Sequence, residues 1–135
     1  MTAPRILVVD DNVVTVELTS FILGAAGFIV ASTTDANRAV SEISTFRPDL
    51  ILMDIQMPGL DGLELTRQIK RTPSSKNIQI VAFTAFAMKG DEAKMLEAGC
   101  DGYIAKPFDV TRFAGTIRSL VRDSPATCSL GDTLP

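Results

Sequence analysis

Apolar residues in this chain follow two rhythms. Short apolar runs occur at Ile6-Leu7-Val8-Val9, Phe28-Ile29-Val30-Ala31, Leu50-Ile51-Leu52-Met53, Ile78 to Ala82 and Tyr103-Ile104-Ala105. Each is closed by polar, Gly or Pro residues, the pattern of short strands buried on both faces. Between the runs, apolar residues recur at helical spacing. Val13, Val16, Leu18, Phe21, Ile22 and Leu23 predict a helix over about 12–25, with Gly24 and Gly27 at its end. Asp35 is placed to cap a second helix carrying Ala36, Ala39, Val40, Ile43 and Phe46, which Pro48 ends. After Pro58-Gly59, Asp61 or Gly62 opens a third helix with Leu63, Leu65 and Ile69, running to about Thr72-Pro73. A fourth falls within 87–98, starting at 87 or 91 and stopped by Gly99; Val110, Phe113, Ile117, Leu120 and Val121 mark a fifth over about 110–122.

Strands at 6–9, 28–31, 49–54, 77–82 and 102–105 thus alternate with helices, with no repeat and no internal linker. Such alternation implies an α/β fold, a parallel sheet with helices on both faces joined by right-handed crossovers. The expected domain spans residues 1–122, and 123–135, rich in Pro, Ser, Thr and Gly, reads as a flexible tail too short for an effector domain. In a parallel sheet all carboxyl ends of the strands face one side, where ligands bind. Five strand ends deliver Asp10-Asp11, Ser32-Thr33, Asp54, Thr84 and Lys106 to that edge. In the flavodoxin-like doubly wound order 2-1-3-4-5 the first and third strands adjoin, so Asp10, Asp11 and Asp54 would cluster.

Composition changes this picture mainly by exclusion. The chain has 135 residues and a formal net charge of -3, with Lys and Arg scattered, which argues against nucleic acid as a partner. Cys100 and Cys128 stand far apart without metal-ligand spacing and read as free thiols. No apolar run reaches the roughly 18 residues of a membrane span, and none resembles a targeting signal, so a soluble, cytoplasmic protein is expected. There is no histidine. That rules out a Ser-His-Asp triad, a Cys-His pair, His-ligated zinc and a phosphohistidine on this chain, leaving carboxylate, Lys, Tyr or Cys for acid–base work.

Clustered carboxylates repel and need a proton or a cation. A few oxygen ligands with room for water and phosphate suit Mg²⁺, with Mn²⁺ able to substitute, better than zinc. A Thr84 hydroxyl and a Lys106 ammonium at the same edge would complete a site for a phosphoryl group on Asp54. The bland alternatives are helix capping for Asp10 or Asp11, a turn for Asp54 and a solvated surface position for Lys106.

Four segments taken jointly resemble the receiver domain of two-component response regulators over residues 5 to about 122: Ile6 to Asn12, Asp49 to Gly59, Phe83-Thr84-Ala85 and Lys106-Pro107-Phe108. The stretch from Ala85 to Ile104 looks like stand-alone cell-cycle regulators and hybrid-kinase receivers. The resemblance implies that Asp54 is the phosphoacceptor, charged by a sensor histidine kinase or a histidine phosphotransfer protein. Asp10, Asp11, Asp54 and the backbone carbonyl of Gln56 would hold Mg²⁺. Thr84 would bond the phosphoryl group, Lys106 would pair with it, and the Lys106-Pro107 peptide would be cis. Tyr103 would turn inward as Thr84 moves. Gln56 and Phe86 would flank the phosphoryl group and act in opposite directions on its lifetime. Met53 and Met57 read as packing residues, and Cys100 as a small buried one.

The expectation is therefore a single-domain response regulator, a switch and not an enzyme, that signals by protein binding through the face of its fourth helix, fifth strand and fifth helix. The alternative within signalling is a phosphorelay intermediate that passes phosphate to a second histidine phosphotransfer protein. A Mg²⁺-dependent phosphohydrolase is disfavoured because Asp54-Ile55-Gln56 lacks a second Asp, and a flavin or nucleotide binder because no Gly-rich loop follows the first strand.

Overall fold

The computed structural model describes residues 3–57, 60–84, 89–105 and 110–122. Its elements are β1 (Arg5–Val9), α1 (Val13–Ala25), β2 (Ile29–Thr33), a 3-10 turn (Ala36–Arg38), α2 (Ala39–Phe46) and β3 (Leu50–Asp54). There follow β4 (Gln56–Met57), β5 (Leu60–Asp61), α3 (Gly62–Arg71), β6 (Gln79–Thr84), α4 (Lys89–Ala98), β7 (Gly102–Ala105) and α5 (Val110–Arg122). The main sheet has the order β2-β1-β3-β6-β7, every neighbouring pair parallel. Counting only these long strands gives 2-1-3-4-5, the flavodoxin-like order. β4 and β5 form a separate antiparallel pair, Gln56 opposite Asp61 and Met57 opposite Leu60.

Register fixes two cores. Leu7, Val9, Ile51, Met53, Ile80 and Ala82 face α2, α3 and α4 through Ala39, Ile43, Leu65, Ile69 and Met95. The alternate residues Ile6, Val8, Leu50, Leu52, Val81 and Phe83 face α1 and α5 through Val16, Leu23, Phe113 and Ile117. Leu50, Ile51, Leu52 and Met53 are all 0% exposed, so β3 is the central, doubly covered strand its unbroken apolar run predicts. Cys100, 5% exposed, is the small buried residue expected ahead of β7.

Several expectations change in detail. Asp35 does not cap α2: its Oδ1 accepts from the Asn37 N–H within the 3-10 turn, and α2 begins at Ala39 with no side-chain cap. The helix ends at Arg47, which takes a left-handed backbone (φ 54°) just before Pro48. On α1 the apolar stripe divides. Val16 and Leu23 are buried, whereas Val13, Leu18 and Phe21 are exposed. Thr19 fills the gap, fully buried, because its hydroxyl donates to the Thr15 carbonyl and needs no outside partner. α4 starts at Lys89, between the two starts considered from sequence. Asp61 lies in β5, and Gly62 opens α3. The Pro58-Gly59 turn, Phe86, Lys106, Pro107, Cys128 and the tail at 123–135 fall outside the described residues.

Candidate functional site

β1 and β3 are adjacent, with Val9 opposite Met53, so both strands stop at the same level and release their acidic residues side by side. Asp10, Asp11 and Asp54 each place a carboxylate oxygen within 4.8 Å of the others. Asp10 is 0% exposed and Asp54 5%, while Asp11 faces solvent. The cluster is tied into the fold on both sides. The Asp10 N–H extends the β1–β2 ladder to the Thr33 carbonyl at 3.2 Å, and its Oδ1 accepts from the Asn12 N–H at 2.9 Å. Asp54 continues the β3 ladder opposite Phe83.

The helix-cap explanation of Asp10-Asp11 does not hold. Asn12 is the N-cap of α1: its Oδ1 accepts from the N–H groups of Val14 (2.9 Å) and Thr15 (3.2 Å). An Asn directly before a helical apolar period is the usual signal for a cap, and the preceding acidic pair obscured it. The two aspartates are left to face Asp54 instead. Two buried carboxylates at this spacing repel by about 3 kcal/mol at an effective dielectric near 20. Burial deepens the problem, because water screens them less. A hard divalent cation held by oxygens is the partner this donor set fits.

Other sequence-predicted residues are placed less completely. Thr84 ends β6 opposite Ala105, so its backbone stands at the same edge as Asp54; its side chain lies outside the described atoms. Gln56 follows β3 after one residue and pairs with Asp61. Tyr103 lies on β7 opposite Ala82 and is 39% exposed. Thr33 does not join the cluster: its hydroxyl accepts from the Asp35 N–H at 3.1 Å and donates to the Asp35 carbonyl, closing a turn. The short β4–β5 pair went unseen in the sequence. Its one sequence signal was the turn-favouring Pro-Gly dipeptide between Met57 and Leu60.

Comparison with known proteins agrees with this geometry. The family model described as response regulator receiver domain matches residues 6–118. The polar-differentiation response regulator DivK of Brucella anthropi is 40% identical over 119 residues, covering 88% of this chain and 97% of DivK. A receiver of CheY-like type from Methanospirillum hungatei has the same fold at TM-score 0.84 and 26% identity, covering 93% of this chain and 98% of that one. The signal receiver domain of a histidine kinase from Syntrophus aciditrophicus aligns at TM-score 0.81 and 31% identity, over 91% of this chain and 93% of that one.

Proposed function

The chain belongs to the response regulator receiver family and is a signalling switch, not a classical enzyme; from that premise we propose that Asp54 is the residue whose phosphorylation throws the switch. The observation that carries this reading is the meeting of Asp10, Asp11 and Asp54 within 4.8 Å at the carboxyl edge of the sheet. Asp54 is the nucleophile. One of its oxygens bonds to phosphorus as the phosphorus–nitrogen bond of a partner's phosphohistidine breaks, and the imidazole departs with the electron pair. Asp10 and Asp11 would hold the cation with Asp54, and the Gln56 carbonyl would complete the protein ligands. Mg²⁺ bound there would neutralise the carboxylates and the phosphoryl oxygens as they approach.

In this reading the Thr84 hydroxyl donates to a phosphoryl oxygen and Lys106 supplies a counter-charge. Water attacking phosphorus breaks its bond to the Asp54 oxygen, releasing inorganic phosphate and the free carboxylate, so the same residues reset the switch. Tyr103, outward on β7, turns inward when Thr84 shifts, which remodels the face of α4, β7 and α5 for a downstream protein. The phosphodonor approaches over the start of α1, beside Asp11. There Val13 (56% exposed) and Val14 (71% exposed) offer apolar surface that the fold does not bury. DivK of Brucella is matched over 97% of its length, so the receiver accounts for nearly all of that regulator.

Incubation with a small phosphodonor and Mg²⁺ is expected to add one phosphoryl group, seen by intact-mass spectrometry, and Asp54→Asn to abolish it. Labelling that survives this substitution would remove Asp54 from the mechanism. The likeness to a histidine-kinase receiver favours one second reading, a relay intermediate. Transfer of the label from Asp54 to a histidine phosphotransfer protein would select it.

A further inference from the structure

Gly62 opens α3 where the helix presses against the backbone that leaves β3. A Cβ added at residue 62 would stand 2.7 Å from the Ile55 Cα, 2.9 Å from the Asp54 carbonyl oxygen and 2.9 Å from the Ile55 carbonyl oxygen. Ordinary contact begins near 3.4 Å. All three atoms are backbone, so no side chain can swing aside. The Gly62 N–H also donates to the Ile55 carbonyl at 3.2 Å. The segment from Asp54 to Gln56 is therefore held at three points: Asp54 by its place opposite Phe83, Ile55 by Gly62, and Gln56 by its pairing with Asp61.

We propose that Gly62 is a positioning residue for the phosphoryl site, its missing side chain setting the path of residues 54–56. This deepens the function proposed above and rests on it. Any larger residue must push the Asp54–Ile55 backbone or α3 by several tenths of an ångström. Asp10 cannot follow, because it directly succeeds β1 and is anchored to Thr33 and Asn12. The distance between the carboxylates then changes, along with the aim of the Gln56 carbonyl. Misplacements on the order of 1 Å cost roughly 10²-fold in reactions that depend on alignment.

The test is Gly62→Ala beside Gly115→Ala, a helical position with nothing within 4 Å of its added Cβ. Metal affinity is read by calorimetry with Mg²⁺, phosphorylation rate with a small phosphodonor, and folding by circular dichroism. Gly62→Ala is expected to stay folded, yet to bind Mg²⁺ and take up phosphate about tenfold or more weakly. Gly115→Ala should match the wild type in both. Should Gly62→Ala not fold, Ile55→Gly is added to give the pressed backbone freedom to move away. That double variant is expected to fold and to remain slower than Ile55→Gly alone. Wild-type affinity and rate in folded Gly62→Ala, or equal rates in the second pair, overturn the inference. A wild-type chain that takes up no phosphoryl group overturns the underlying function instead.

Discussion

Cys100 sits 5% exposed just before β7, and its environment works against ionisation. Burial raises the thiol pKa above its ordinary 9.0; the hydrogen bond with Thr66 lowers it, Asp101 raises it, Lys70 lowers it, and the upward effect prevails. The folded state therefore keeps the proton to higher pH than the unfolded chain does. The stability linked to this group is fully present below the unfolded value and is lost as pH rises through the folded one. Urea unfolding at a series of pH values from 7 to above 9 should show an alkaline decline that is shallower in Cys100→Ala; parallel curves would assign the decline to other groups. At this same scale the sequence was informative for Asp10, Asp11 and Asp54, because acidic residues directly after apolar runs have few structural uses. It was silent on Thr19, whose burial depends on a bond within its own helix. Phe21 misled for the opposite reason: it fits the helical period but lies on the open side of α1.

Helix ends were where sequence and structure parted most. Asn12 caps α1 through two N–H groups, and Arg47 closes α2 in a left-handed conformation more usual for Gly. Asn12→Ala is expected to lower stability by about 1 kcal/mol, read as a fall in thermal midpoint of a few degrees. It should also loosen Asp10, whose carboxylate accepts from the Asn12 backbone. Unchanged stability would mean that water caps the helix equally well. The predicted spans of β7 and α5 agree with those observed, since Gly, Pro and a clear apolar period bound them. α2 was misplaced at its start because Asp35 satisfies a different, tighter turn. Local propensity cannot tell a 3-10 turn from the first turn of a helix when both want the same cap.

The architecture was legible because five alternating strands and helices allow few topologies, and central burial of β3 demanded covering helices on both faces. What no local pattern encodes is close approach: the fit of Gly62 against Ile55 depends on two segments meeting in space. At the scale of the whole molecule the acidic cluster links stability to cations. Mg²⁺ bound by the native state alone should raise stability by about 1.4 kcal/mol at roughly tenfold excess over its Kd. Thermal melts with MgCl₂ against NaCl of equal ionic strength would separate this from screening, and Asp11→Ala should remove the difference. The adjacency of β1 and β3 also has a bearing on synthesis. The carboxylates come from distant parts of the chain, and Asp54 has its ladder partner only once Phe83 has emerged and β6 has docked. On the function proposed above, a growing chain is expected not to receive a signal before β6 is in place. Ribosome-held chains ending before β6 are expected to resist phosphorylation by a small phosphodonor, and chains extended past α5 to accept it.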